Sequence, residues 1–144
     1  MSSTPITCHI LDTTRGRPAS DVLCEIFSLA SFNEPTPFAT ARTNGDGRIP
    51  KWNFSSEVSK TSLAQIGIND DWEVLKAGVY KIRFHTKEYF QEIALQEDAT
   101  DSTGRARTFF PFVDIIFEVA SPPDHHYHVP LLLSNHGYST YRGS

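Results

Sequence analysis

The chain has 144 residues, of which 39% are hydrophobic, and its formal net charge at pH 7 is -4. This length predicts a single domain over residues 1–144, and the acidic balance excludes the basic footprint of a nucleic-acid-binding protein. No apolar run approaches the roughly 18 residues that a membrane-spanning helix needs, and the first residues do not form a signal peptide, so we expect no membrane partner.

The N-terminal part of the sequence predicts short strands joined by turns and loops. Residues 6–11 alternate, with apolar side chains at 6, 8 and 10, which places Thr7 and His9 on the opposite face of the strand. Residues 22–28 and 38–43 are the next predicted strands, and 33–37, with its two prolines, is a predicted loop. Cys8 and Cys24 fall on the apolar phase of their strands, which favours buried free thiols over a disulfide.

Residues 44–47, Asn-Gly-Asp-Gly, hold two overlapping turn dipeptides and give the strongest hairpin signal in the chain. The prediction therefore fixes Arg48 just past a tight turn, at the start of the next strand.

The middle of the sequence is more polar. Residues 57–66 are compatible with a short helix or with an exposed excursion, and a strand is predicted at 79–84. Residues 86–95 predict a helix with Thr86 at its N-terminal cap and with apolar residues at helical spacing. A polar loop at 97–107 then leads to a predicted strand at 109–119.

The C-terminal segment combines histidines, apolar residues and hydroxyls in two predicted strands. His126 and His128 are two apart, so on a strand they point to the same face. Residues 131–133 are three leucines, 135–137 are a predicted turn, and 138–141 are rich in aromatic and β-branched residues. Seven or eight short strands and one helix predict an all-β sandwich with Greek-key connections.

Three blocks in the chain carry a family resemblance. The opening ITCHILDTTRGRPA, the central TNGDGRI and the ending HYHVPLLLS with YSTYRGS resemble the transthyretin-like 5-hydroxyisourate hydrolases. The resemblance implies a transthyretin-like two-sheet sandwich with one short helix and a homotetramer, a dimer of dimers, whose central channel holds the active sites. It also implies hydrolysis of 5-hydroxyisourate to 2-oxo-4-hydroxy-4-carboxy-5-ureidoimidazoline in urate degradation, with no cofactor. This chain departs from the family pattern at Asn135 and His136, where a proline is more usual.

The residues alone leave several interpretations open. The sequence has no Gly-x-Ser-x-Gly elbow, no His-Glu-x-x-His and no phosphate-binding glycine loop, so chemistry would depend on histidine, arginine and tyrosine. From the residues alone the favoured interpretation of His9 is a surface strand residue, Arg48 would be a solvated charge, and the last four residues would be a frayed tail. His126 and His128, joined by His9, also have the spacing of a three-histidine zinc site, although the family that the chain resembles is not metal-dependent.

The resemblance assigns roles at matched positions. It implies that the catalytic residues are His9, His128 and Arg48, and that the substrate-binding residues are His9, Arg48, Ser139, Tyr141, Arg142 and Ser144. His126 would be a supporting neighbour of these residues. His85, His125 and His136 match no role, and we expect them to be solvated.

Two other function classes are compatible with such a fold. One is a transthyretin-like carrier that binds a small aromatic ligand without turnover, and the other is a structural immunoglobulin-like module, which would explain neither the histidines nor the tail. No Ser-Lys-Leu-type address ends the sequence, so we expect a cytoplasmic location, with peroxisomal import by another route as the alternative.

Overall fold

The computed structural model describes residues 4–29, 36–97 and 106–144, which form two packed β-sheets. The strands in this part of the chain are β1 (Ile6–Asp12), β2 (Arg17–Pro18), β3 (Leu23–Ser28), β4 (Ala39–Arg42), β5 (Asn53–Phe54), β6 (Gly78–Phe84), β7 (Val113–Val119), β8 (Tyr127–Leu133) and β9 (Tyr138–Thr140). Two helices accompany them, α1 (Lys60–Gln65) and α2 (Thr86–Gln96). The predicted two-sheet sandwich is confirmed.

The two ends of the described chain lie side by side in one sheet. That sheet has the strand order β2-β1-β8-β9, and the other has the order β5-β4-β3-β6-β7. β1 and β8 are parallel, with Thr7 opposite His128 and His9 opposite Pro130, whereas the other strand pairs are antiparallel. This parallel pair brings the histidines of the opening and closing segments onto one face.

The core lies between the sheets and follows from the alternation of the strands. Ile6, Cys8 and Ile10 of β1 are fully buried, and they share one apolar cluster with residues of the opposite sheet. Burying each isoleucine stabilises the fold by about 1.5–3 kcal/mol. The indole Nε1 of Trp52 donates to the carbonyl oxygen of Ile6 at 2.9 Å, which satisfies its one polar group inside the core. Cys8 and Cys24 are free and buried, as predicted.

Helix α2 covers the segment that the sequence predicted, with a buried apolar side formed by Tyr89, Phe90, Ile93 and Ala94. The predicted N-cap is wrong by one residue, because His85 occupies the cap position and Thr86 is the first helical residue. Thr86 is buried, and its hydroxyl has no hydrogen-bond partner among the described residues. Neither helix in the described ranges is long and apolar enough to cross a membrane.

Helix α1 resolves the choice left open for residues 57–66 in favour of a short helix. Ser59 is its N-cap, and its hydroxyl accepts from the backbone N–H of Ser62 at 3.1 Å. Only Leu63 of the helix is buried, so α1 adds little to the core. The helix ends before Gly67, which has a φ of 93°.

Strand β7 is shorter than the strand predicted at 109–119. It begins at Val113, because Pro111 cannot donate to a ladder and the N–H of Phe109 bonds instead to the carbonyl of Asn135 at 3.0 Å. The loops predicted at 33–37 and 97–107 lie mostly outside the described residues.

Candidate active site

The polar face of the β1 and β8 pair carries the predicted histidines. The rings of His9 and His128 have centroids 6.5 Å apart and an angle of 27° between their planes. His126, the residue before β8, stacks on the other side, with its ring centroid 6.4 Å from that of His128 and an angle of 16°. All three rings are half-buried. His128 is therefore the centre of a row of three imidazoles.

Thr7 joins two of these rings and was not among the predicted site residues. Its Oγ1 atom is 2.8 Å from Nδ1 of His128 and 3.0 Å from Nε2 of His126. The alternation of β1 already placed Thr7 on the same face as His9, but no sequence signal gives the parallel register that sets Thr7 opposite His128.

The predicted tight turn at residues 44–47 holds the backbone of Arg48. The side-chain Oδ1 of Asn44 accepts from the N–H of Asp46 at 2.9 Å and from the N–H of Arg48 at 3.1 Å. The carbonyl of Gly47 accepts from the N–H of Ile10 at 2.9 Å, which ties the turn to β1. A side chain at Gly47 would lie 2.5 Å from the Ile10 carbonyl oxygen, so this approach requires glycine.

The prediction that Arg48 begins a strand is wrong. Arg48 forms an isolated bridge with His9, and the next strand, β5, starts only at Asn53. Pro50 follows Arg48 closely and lacks the N–H that a continuing ladder would need. The bridge nevertheless brings Arg48 to the histidine face, with its side chain exposed.

A cavity of about 290 Å³ opens between these groups. Its lining residues are Thr7, Cys8, Arg48, Ile49, His126, His128 and Ser144. It thus combines a permanent cation, two imidazoles and hydroxyl groups in one concave, solvent-accessible space. Such a set can bind a polar, carbonyl-rich ligand and exchange protons with it.

His9 and His128 both favour their neutral forms. Burial lowers the pKa of His128 below its ordinary value of 6.5, and the charge of Arg48 and the neighbouring His126 and His9 lower it further. Burial also lowers the pKa of His9, with a second contribution from Arg48, against a smaller opposing effect of Asp46. At neutral pH both rings therefore have an unprotonated nitrogen, which is the form that a general base requires.

The end of the chain packs against His128. The N–H of Gly143 donates to the carbonyl oxygen of His128 at 2.9 Å, and the two residues form an isolated bridge. Ser144 lines the cavity beside Arg48. Gly143 and Ser144 are therefore held against the histidine face rather than forming a free tail.

The other predicted substrate-binding residues of the tail lie apart from this cavity. Tyr141 and Arg142 line a second cavity of about 280 Å³, between the edges of the two sheets, which also touches His128. The guanidinium of Arg142 is 2.9 Å from a carboxylate oxygen of Asp124 and 4.5 Å from the ring centre of Tyr127. Ser139 lies in β9 and pairs with Leu132 of β8. It is not among the described residues that line the two cavities.

The remaining histidines divide into two groups. His125 and His136 are exposed, as predicted. The prediction that His85 is solvated is wrong, because its Nε2 lies 2.5 Å from Oε1 of Glu25 and its side chain is 24% exposed. In the ranges that the structure describes, no group of three or more His, Cys, Asp or Glu side chains is arranged to hold a metal ion.

Comparison with known proteins gives one consistent family. A sequence model described as the HIUase/transthyretin family matches residues 6–143. A relative from Schizosaccharomyces pombe, named probable 5-hydroxyisourate hydrolase, is 36% identical over 144 residues, covering 96% of this chain and 90% of the relative.

Two solved structures share the fold. The 5-hydroxyisourate hydrolase of Klebsiella pneumoniae superposes with a TM-score of 0.64 at 28% identity, covering 98% of this chain and all of the other. Sea bream transthyretin in complex with thyroxine gives a TM-score of 0.67 at 24% identity, covering 97% of this chain and 95% of that one. The predicted transthyretin-like sandwich is thereby confirmed.

Proposed function

The chain belongs to the HIUase/transthyretin family, and we propose that it hydrolyses 5-hydroxyisourate to 2-oxo-4-hydroxy-4-carboxy-5-ureidoimidazoline, without a cofactor, in urate degradation. The observation that carries the proposal is the single cavity that joins Arg48 to His128, beside His9, with both histidines neutral. Relatives of nearly equal length that are 32–36% identical to the chain bear the name of this hydrolase.

The reaction is the addition of water to a ring carbonyl followed by cleavage of the C–N bond. A neutral imidazole of His128 or His9 takes one proton from water, and the resulting hydroxide attacks the carbonyl carbon. Arg48 stabilises the negative charge that develops on the carbonyl oxygen. Collapse of the tetrahedral intermediate expels the ring nitrogen, which takes the proton back from the imidazolium, so the catalyst returns to its starting state.

We propose Ser144 as a substrate contact, because it lines the cavity with the catalytic groups. For Ser139, Tyr141 and Arg142 the contact stays a prediction. For Arg142, contact with the substrate requires its side chain to leave Asp124. Breaking this ion pair costs at most about 1 kcal/mol, since the two side chains are 57% and 60% exposed.

The predicted homotetramer, a dimer of dimers, is part of the proposal. It is supported by large apolar side chains that are exposed in the isolated chain near the open edges of both sheets, including Ile116 at 62% and Tyr141 at 60%. Light scattering after size exclusion should give the mass of four chains, and dilution below the assembly concentration should abolish activity. A fully active monomer would contradict a channel site.

The deciding experiment follows freshly generated 5-hydroxyisourate by absorbance, with and without the protein, against its spontaneous decay. Acceleration supports the hydrolase, and His128→Asn should reduce it by roughly 10² or more. Saturable binding without acceleration would instead favour the carrier. Full activity after treatment with a chelator, together with metal analysis, would exclude the three-histidine zinc alternative. A cytoplasmic location, with the peroxisome as the alternative, stays part of the proposal, and cell fractionation would test it.

A further inference from the structure

The hydroxyl of Thr7 has one hydrogen for the two imidazoles that it contacts, so it donates to at most one of them. A threonine hydroxyl donates one hydrogen and accepts through two lone pairs. At 2.8 Å from His128 Nδ1 and 3.0 Å from His126 Nε2, both contacts have hydrogen-bond length. If Thr7 donates to one ring, the nitrogen of the other ring must donate to Thr7. Because at least one of the two rings has to donate its N–H to Thr7, the tautomers of His126 and His128 are coupled through one oxygen atom.

In the first arrangement, Thr7 donates to His126 and the Nδ1–H of His128 donates to Thr7, which leaves the lone pair of His128 on Nε2. In the second arrangement, Thr7 donates to Nδ1 of His128, and Nε2 of that ring carries the proton. The permanent charge of Arg48 lines the same cavity as His128, and a nearby cation favours a lone pair over an N–H group on the nitrogen that Thr7 does not occupy.

The contacts around the His128 ring leave Nε2 as its open nitrogen. Thr7 is the only hydrogen-bond partner of this ring within the described residues, and it occupies Nδ1. Gly143 packs against the edge of the ring at Cδ2, where an added Cβ would be 2.5 Å away. Nε2 is the nitrogen that neither neighbour occupies, so it is available to a water molecule in the cavity.

We propose that Thr7 is a positioning residue that holds His128 in the Nδ1–H tautomer, makes Nε2 of His128 the general base, and is itself oriented by donating its hydrogen to His126. This inference rests on the proposed hydrolase function for its kinetic consequence. The proton taken from water enters Nε2, and the imidazolium is then stabilised by its Nδ1–H bond to Thr7. The three residues form a chain in which only His128 touches the reacting water.

The test compares Thr7→Val, which keeps the β-branched shape and removes the hydroxyl, with Thr7→Ser, which keeps the hydroxyl. Thr13→Val is the matched control, because Thr13 donates to the Leu133 carbonyl at 3.0 Å at the far end of the same strand pair. A general base contributes roughly 10² to 10⁴ in rate, so we expect Thr7→Val to lower kcat at least about tenfold. Thr7→Ser and Thr13→Val should stay close to the parent chain.

The pH profile separates positioning from packing. The charged and titratable groups that face His128 are Arg48, His9 and His126, and all three remain in these variants. Loss of the Thr7 acceptor removes a hydrogen bond to the imidazolium, which lowers the pKa of His128 still further. The acid limb of kcat/KM should therefore move to lower pH in Thr7→Val and should not move in Thr7→Ser.

A direct readout needs no substrate. Long-range proton–nitrogen NMR of the selectively labelled protein at pH 8 should show Nδ1 of His128 protonated in the parent chain and in Thr7→Ser, but not in Thr7→Val. His126→Phe keeps a flat ring and removes the acceptor that orients the Thr7 hydroxyl, so a share of His128 should move to the Nε2–H tautomer while Arg48 still favours Nδ1–H in the rest.

Each result decides the proposal. A parent chain with the proton of His128 on Nε2 would overturn it, and so would a Thr7→Val protein that keeps both tautomer and kcat. If the protein does not accelerate 5-hydroxyisourate decay at all, the hydrolase function fails, while the NMR result still decides whether Thr7 fixes the His128 tautomer.

Discussion

Replacing Gly143 with alanine should disable the site through one methyl group. The backbone of Gly143 is bonded to His128, and an added Cβ would lie 2.5 Å from Cδ2 and 3.2 Å from Cγ of that ring and 3.1 Å from Cγ of Pro130. Ordinary carbon contacts begin at about 3.5 Å, so the ring or the tail must move by about 1 Å. Because the ring is hydrogen-bonded to Thr7 at its far side, either movement disturbs the catalytic geometry.

A displacement of this size can cost roughly 100-fold in rate, because general-base catalysis requires hydrogen-bond reach to the attacking water. The assay is kcat and KM for freshly made 5-hydroxyisourate, together with the melting temperature. We expect kcat/KM to fall by about 10²-fold, with little change in melting temperature, because the buried core between the sheets is untouched.

Gly137→Ala is the matched control in the same segment. Its added Cβ would meet only the Ser134 hydroxyl oxygen, at an ordinary 3.7 Å, so activity should be unchanged. Parent-level kcat/KM in Gly143→Ala would refute the packing of the chain end against His128. If both alanine variants lost activity equally, the effect would belong to the turn and not to the close approach.

Four further outcomes are expected. Arg48→Lys should lower kcat/KM at least about tenfold, measured by the same assay, because a point charge on a flexible stem does not reproduce a planar fork; parent-level activity would make Arg48 a surface charge. His128→Asn should lower kcat by roughly 10² or more while circular dichroism stays unchanged. Since folding lowers the pKa values of His9 and His128, the unfolded chain binds more protons as the pH falls through 6.5, so the melting temperature should drop there, and less so in His128→Asn. Gly67→Ala should destabilise the fold without a specific effect on catalysis, because φ is 93° and the new Cβ would overlap the Val74 carbonyl; an unchanged denaturation midpoint would contradict this.

The sequence predicted the parts of the site that depend on local periodicity. Strand alternation separated His9 from its buried neighbours, and the 44–47 turn fixed the backbone of Arg48. It could not predict the role of Thr7, because that role depends on the register between strands that are distant in the sequence. It also could not predict the direction of the Arg142 side chain, since a long exposed chain chooses between partners by small differences in energy.

The parallel pairing of β1 with β8 has a consequence for how the enzyme is made. Thr7 and His128 are separated by 121 positions, so the strand that carries His9 is synthesised long before its partner exists. At roughly 5–20 residues per second, that strand waits on the order of ten seconds with one edge unpaired. Because contacts between distant segments form slowly, we expect nascent chains arrested before β8 to expose β1 to chaperones or to added proteases and to lack turnover completely. Pulse proteolysis of such arrested chains would measure this interval, and protection of β1 before β8 has been synthesised would contradict it.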